Sequence, residues 1–277
     1  MTPILRVIIS TITAIAFYTS PIANAQLSKE KAEELSASIY LNYQVLATKL
    51  LQNQALDRYA MFAPTRKMRK ARKDLLNKIN PDELYIHIFD SISNHIEPED
   101  ADKLIEYGKT LAYRKLLKKQ LYMATDEGYK VTKKIQAKYG LGLFEPKPEL
   151  FQIINENKSC DAPDQKKFES SQIVMLHFFW LYNLEAGKAY PRFKQPAEMF
   201  KNNFQKYLQD KEKAQENCKY AQFVKYLSME SLSIEEINAS NQEAEKDYIK
   251  NYSKAYHLGI INYFKTLADE PLEPTNT

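Results

Sequence analysis

Few side chains in this sequence have the types and spacing that chemistry could use. His87 and Asp90 stand three residues apart, with Asn94 one turn further, so one helix face would carry all three and could orient a metal ion or a general base. No H-E-x-x-H motif accompanies them, and zinc would need a ligand from another segment. The expectation is a half-exposed histidine, no metal and no cofactor. His177 lies in an apolar run and reads as a core residue. There is no G-x-S-x-G, and neither cysteine has a histidine nearby, so nucleophilic catalysis has no support. Glycan-cleaving enzymes use two acids, and Glu106 and Glu185 are the pair that could serve. Among 35 aspartates and glutamates, however, some pair can always be chosen.

Cys160 and Cys218 read as a disulfide formed in an oxidising compartment, with a metal site as the alternative. Bridged, they would close a loop of nearly sixty residues, which the chain-entropy model values at roughly 4 kcal/mol, and would pin the segment around Cys160 to a later helix. The strongest charge feature is the run Arg66, Lys67, Arg69, Lys70, Arg72 and Lys73, on a short helix whose inner edge is Met68, Ala71, Leu75 and Ile79. It points to an anionic partner such as a membrane surface, lipopolysaccharide or cell-wall polymer. The competing reading is a solvated helix face, because the net charge is only +4 and acids such as Glu97, Glu99 and Asp100 follow closely. Nucleic acid is not an expected partner of an exported chain.

The elements that position these residues are helices. Six glycines against twelve prolines, placed mostly at segment edges, predict an all-α bundle of long amphipathic helices with proline corners. No stretch alternates with a period of two between turn signals, so no sheet is expected. The organising stretch is Asn80 to Lys119, read as two helices opened by Pro81 and Pro98. Leu84, Ile88, Ile92 and Ile96 form one stripe; Ala101, Leu104, Ile105, Leu111, Ala112 and Leu116 form the other. The two are expected to face each other. Nineteen tyrosines read as helix-packing side chains with their tips in water, or as an aromatic binding surface.

Met1 to Ala25 has the form of a secretory leader: Arg6, an apolar stretch Val7 to Tyr18, and Ala23-Asn24-Ala25 before a cut at Gln26. This implies the periplasm, with secretion beyond it as the alternative. No later stretch is apolar for long enough to span a membrane. A helix runs from the Ser28 cap towards Phe62 and stops at Ala63-Pro64, and Thr65 caps the basic helix. Leu117 to Tyr139 continues as helix, bent or broken near Thr125 to Gly128. The Gly- and Pro-rich stretch after Tyr139 opens a linker over 140–167, dividing a helical domain 26–139 from another, 168–268. Phe168 to Leu184 is apolar nearly all round and reads as a core helix closed by Gly187. One helix follows from Pro196 to about Met229, and a last one, with a Ser233/Glu236 capping box, runs to about Ala268. The tail 269–277 is expected to be disordered.

The run Asn80-Pro81-Asp82-Glu83-Leu84, then Ile96 to Tyr107, then Arg114-Lys115-Leu116-Leu117 resembles the domain-of-unknown-function 2059 family of exported bacterial helical proteins over about residues 35–137. Gly108 stands where that family has its second aromatic, Leu111 where it has a proline and Tyr113 where it has a glycine. Phe179 to Lys188 fits the same frame as Ile105 to Arg114, which reads as a diverged duplication giving two similar halves. The alternative is that helix corners look alike. The resemblance implies helices and export, and no catalytic residues.

The expected function is non-enzymatic binding of an envelope component or a protein partner through the basic or tyrosine-rich surface. The alternatives are a cell-wall hydrolase using carboxylates in a cleft, and an immunity or inhibitor protein for an exported toxin.

Overall fold

The computed structural model describes residues 26–60, 66–140, 142–155, 160, 170–270 and 272. The expected leader 1–25, the expected Ala63-Pro64 stop and Thr65 cap, most of the expected linker after Asn155 and the last five residues lie outside them. The described residues form thirteen α-helices and one 3-10 turn at Pro191–Phe193, with no strand among them, so the all-α expectation holds. The helices are α1 (Lys29–Ser38), α2 (Leu41–Ala60), α3 (Arg66–Lys78), α4 (Pro81–His95), α5 (Pro98–Lys109), α6 (Leu111–Ala124) and α7 (Asp126–Gly140). There follow α8 (Pro148–Ile154), α9 (Ser170–Ala189), α10 (Ala197–Gln209), α11 (Lys211–Met229), α12 (Ile234–Ala244) and α13 (Asp247–Leu267).

Several helices are shorter than their apolar periodicity implied. The one expected from Ser28 towards Phe62 parts at Tyr40, whose φ is +56°, an uncommon conformation for a residue with a Cβ. The break frees the carbonyl of Ile39, which accepts hydrogen bonds from the Tyr113 hydroxyl and the Gln44 amide, each at 2.8 Å. Tyr113 lies 74 residues downstream, so this stabilisation is invisible to local propensity.

The helix after Pro98 likewise stops at Lys109. Thr110 takes an extended conformation, donates to the Tyr107 carbonyl at 2.8 Å and accepts from the Tyr113 N–H at 3.3 Å, ending one helix and capping the next. Thr125 does the same between α6 and α7, donating to Tyr122 at 2.7 Å and accepting from Gly128 at 3.1 Å. The expected Pro196–Met229 helix divides at Asp210, and the last one divides at Glu245-Lys246. The Ser233/Glu236 capping box is present, with bonds of 3.2 and 2.9 Å.

The two proline-corner helices do not lie along each other as expected. The partner of α4 is α13, and that of α5 is α1. Both crossings are close. A Cβ on Gly259 of α13 would stand 2.5 Å from Cα of Ile88, and one on Gly108 of α5 would stand 2.3 Å from the Ser38 carbonyl oxygen. The aromatic that the family resemblance places at position 108 would not fit there.

The core expectation for the apolar segment holds: Leu176 to Gly187 of α9 is buried continuously, between α3, α13 and the turn at Pro191. Gly187 does not end this helix, which continues to Ala189. One large core combines residues from α1 to α5 with residues of α9 and α13, so it joins both sides of the 140–167 stretch. A second, smaller core takes Ile154 from α8, Phe223, Tyr226, Leu227 and Met229 from α11, and Ile237 from α12, packed against side chains of α6 and α7. Cys160 and Cys218 are bridged at its edge, which ties the segment after α8 to α11.

Of the tail, Asp269 and Glu270 are exposed but bond to α9, and Leu272 joins the large core. The Trp180 indole donates to the Glu270 carbonyl at 2.7 Å, Lys188 pairs with Asp269, and Leu272 is buried. Trp180 is buried in α9, and its N–H must find an acceptor that its own helix cannot offer.

Candidate functional site

The basic helix α3 forms because Met68, Ala71, Leu75 and Ile79 recur at one-turn spacing and bury against α9. Its other positions are thereby turned outward. Arg66, Arg69 and Lys73, at i, i+3 and i+7, form one stripe opposite the buried edge, and all three are exposed. Among the described residues no carboxylate pairs with any of these three. Lys70 differs, since its ammonium meets Asp74 at 2.7 Å, and that hydrogen bond, the Asp74 charge and Glu185 hold its pKa above the ordinary value. Arg72 is half-buried on the side towards Tyr182, and the side chain of Lys67 lies outside the described atoms.

Several lysines elsewhere on the surface are paired. Lys31 pairs with Glu34 and Asp102, Lys103 with Glu99 and Asp100, Lys109 with Glu106, Lys115 with Glu236, Lys119 with Glu230 and Lys246 with Glu243. At the far end of α3, Lys78 reaches the buried Glu185 at 2.5 Å and Lys188 reaches it at 3.1 Å. The Asp269 carboxylate holds the Lys188 ammonium above its usual range, helped by Glu185. The start of α3 therefore carries uncompensated charge, as does α7, where Lys130, Lys134 and Lys138 are exposed with no carboxylate partner among the described residues.

The structure does not assemble the other sequence-derived candidates. Glu106 is exposed on α5 beside Lys109, whereas Glu185 is buried on α9 between Lys78 and Lys188, so the two acids do not form a pair. The His87 ring packs 5.5 Å from that of Tyr263, while Asp90 and Asn94 border a hollow of about 210 Å³ with Gln26 and Leu27. No cluster of three metal-ligating side chains exists among the described residues. His177 is buried, as expected, and burial, with Lys265 and Lys201, lowers its pKa to about 4.

Most of the tyrosine surface turns out to be interior scaffold. Tyr252 donates to Gln44 at 2.8 Å, Gln44 donates to Tyr113 at 2.9 Å, and Tyr256 shares a hydrogen bond of 2.7 Å with Thr48. Burial pushes the Tyr256 phenol up to about 12 and Tyr252 well above its ordinary value. Sequence reasoning missed this network, which joins positions up to 208 residues apart. It also missed Ser170 and His257, whose Oγ and Nδ1 lie 2.8 Å apart across 87 residues.

No family model, no curated protein and no solved structure matches this chain. No helix among the described residues is long and apolar enough to cross a membrane.

Proposed function

We propose that this is an exported, non-enzymatic helical protein of the periplasm that binds an anionic, phosphate-bearing surface of the cell envelope through Arg66, Arg69 and Lys73. The observation that carries the reading is their state: three exposed cations, two of them guanidinium groups, on one helix stripe with no carboxylate partner among the described residues. Guanidinium groups suit phosphate because their donors are fixed in a fork and stay protonated. The Cys160–Cys218 bridge is compatible with export, since such bonds persist in oxidising compartments. Kinship of residues 35–137 with the domain-of-unknown-function 2059 family belongs to the same proposal, supported by the motif around Pro81 and Pro98.

The test is co-sedimentation of the full chain, recovered from the periplasm, with vesicles containing phosphatidylglycerol or only phosphatidylcholine. Each surface cation contributes about 1 kcal/mol near an anionic membrane. Changing Arg66, Arg69 and Lys73 together to Gln is therefore expected to weaken retention on the order of a hundredfold. Equal retention of the variant and the parent, or equal binding to both vesicle types, would sink the reading. Sequencing of the amino terminus checks export separately, with Gln26 as the expected first residue.

A further inference from the structure

The excess positive charge of this chain lies in two segments. Fifteen of the 39 lysines and arginines, but only three of the 35 aspartates and glutamates, fall in α3 and in residues 111–140, which span α6 and α7. The rest of the chain therefore carries a net charge of −8, against +4 for the whole. At about fivefold in affinity for each cation, a stripe of three on α3 gives an attachment weaker than roughly millimolar. A surface contact of useful strength needs more cations, and α7 has them.

This helix buries Gly128 and Thr132 and packs Ile135 and Tyr139 against the small core. Its opposite side carries Lys130, Lys134 and Lys138 at i, i+4 and i+8, so the three follow one stripe with a rise of about 6 Å between neighbours. All three are exposed, and none meets a carboxylate among the described residues. Lys133, which lies to one side of them, covers the Tyr129 ring at 4.8 Å instead. The acids of α7, Asp126 and Glu127, are confined to its first turn, where the helix dipole favours them.

Apolar side chains among these cations distinguish a bilayer from a dissolved polyanion as the partner. Val131 stands one turn before Lys134 and is 40% exposed. Leu143, at 72%, is the most exposed large apolar residue among those described. Its backbone is nevertheless held. Gly142 takes a left-handed φ of +68° and donates its N–H to the Tyr139 carbonyl at 3.0 Å, while the Leu143 N–H reaches back to the Lys138 carbonyl at 2.7 Å. In this form of helix cap the corresponding apolar residue commonly packs back on its own helix; here most of the side chain is left in solvent, beside the last lysine of the stripe. Lysines and apolar groups on one side of a helix suit the headgroup region of a membrane, where ammonium groups meet phosphates and apolar atoms leave water.

We infer that α7, with Leu143, is an interfacial helix that lies on an anionic lipid bilayer. The inference rests on the envelope reading for its ligand, and it places the contact on residues that reading does not use, at the small core rather than the large one.

The test is co-sedimentation of the full chain with phosphatidylglycerol or phosphatidylcholine vesicles over a range of salt concentrations. Changing Lys130, Lys134 and Lys138 together to Gln is expected to weaken retention on phosphatidylglycerol on the order of a hundredfold and to flatten its salt dependence. Leu143→Gln is expected to weaken retention roughly tenfold with the salt dependence unchanged, because it removes apolar burial and no charge. These side chains are exposed and bond no protein group, so the variants should melt with the parent. If either of them sediments as the parent does, α7 does not lie on the bilayer. Preferential binding of the parent to dextran sulfate would likewise overturn the inference, in favour of a soluble acidic polymer. Replacement of Arg66, Arg69 and Lys73 separates the two contacts. Loss confined to that variant removes the contact at α7, loss confined to the α7 variants removes the one at α3, and no binding by the parent removes both.

Discussion

The two hydrophobic cores are held in different ways. The larger, around α9 and the α4–α13 crossing, contains Trp180, Phe178, Tyr263 and Phe264 fully buried and has no covalent tie. The smaller, between α8, α11 and α12, has the Cys160–Cys218 bridge at its edge. Burial grows faster than surface as a cluster enlarges, so a small core fixes its helices weakly and gains most from a cross-link. A large one can depend on close packing, at the price of intolerance to added atoms.

The comparison breaks if removing the bridge loosens both cores alike. Replacing both Cys160 and Cys218 by Ser is expected to lower stability by roughly 4 kcal/mol on the chain-entropy model. Hydrogen exchange should show opening of α8 and α11 first, with α4, α9 and α13 still protected. Uniform loss of protection would mean that the two clusters unfold as one unit.

Packing in the larger core is tested at Gly259. The Cβ of Gly259→Ala would press on the Ile88 Cα and on the His87 carbonyl at 2.8 Å, both backbone atoms that cannot rotate aside. A loss of about 3 kcal/mol, at the upper end of overpacking costs, is expected in denaturant melts. A neutral result would show that the crossing can separate without loss.

The smallest effect sharpens the comparison through pH. His177 sits in the larger core at 6% exposure, with its pKa lowered to about 4 by burial first and by Lys265 and Lys201 next. Unfolded, it titrates near 6.5, so below that pH the unfolded chain binds a proton that the folded one refuses. Stability is therefore full above about pH 6.5 and falls as the pH drops towards 4, by roughly 2 kcal/mol between pH 7.5 and 5. His257, also lowered by burial, acts in the same direction. Thermal melts of the parent and of His177→Gln at the two pH values separate the two histidines. An equal acid response in both proteins would assign the effect to other groups.

How much could be read beforehand follows from how far each interaction reaches along the chain. Met68, Ala71, Leu75 and Ile79 were legible as the inner edge of α3 because helical periodicity is local, and so was the outward direction of Arg66, Arg69 and Lys73. The Ser233/Glu236 capping box spans three residues and was legible for the same reason. The breaks at Tyr40, Asp210 and Glu245 were not, because apolar spacing continues across them. At Tyr40 the deciding bond comes from Tyr113. Thr110 has a capping side chain, but nothing in its own segment says that one helix ends there rather than running on.

Composition and pattern by themselves determined the helical class, the buried character of α9, the cysteine pair and the basic face of α3. Each follows from side-chain period, redox chemistry or charge density within a short stretch. Tertiary structure alone decided that α4 lies on α13 and α5 on α1, that Glu106 and Glu185 stay apart, and that most tyrosines serve the interior. It also decided that Leu143 stands exposed at the end of the α7 lysines. The physical reason is that amphipathic stripes carry no address: any apolar face can bury against any other. The choice among them is made by a few close contacts, such as Gly259 on Ile88 and Gly108 on Ser38, between residues far apart in the chain.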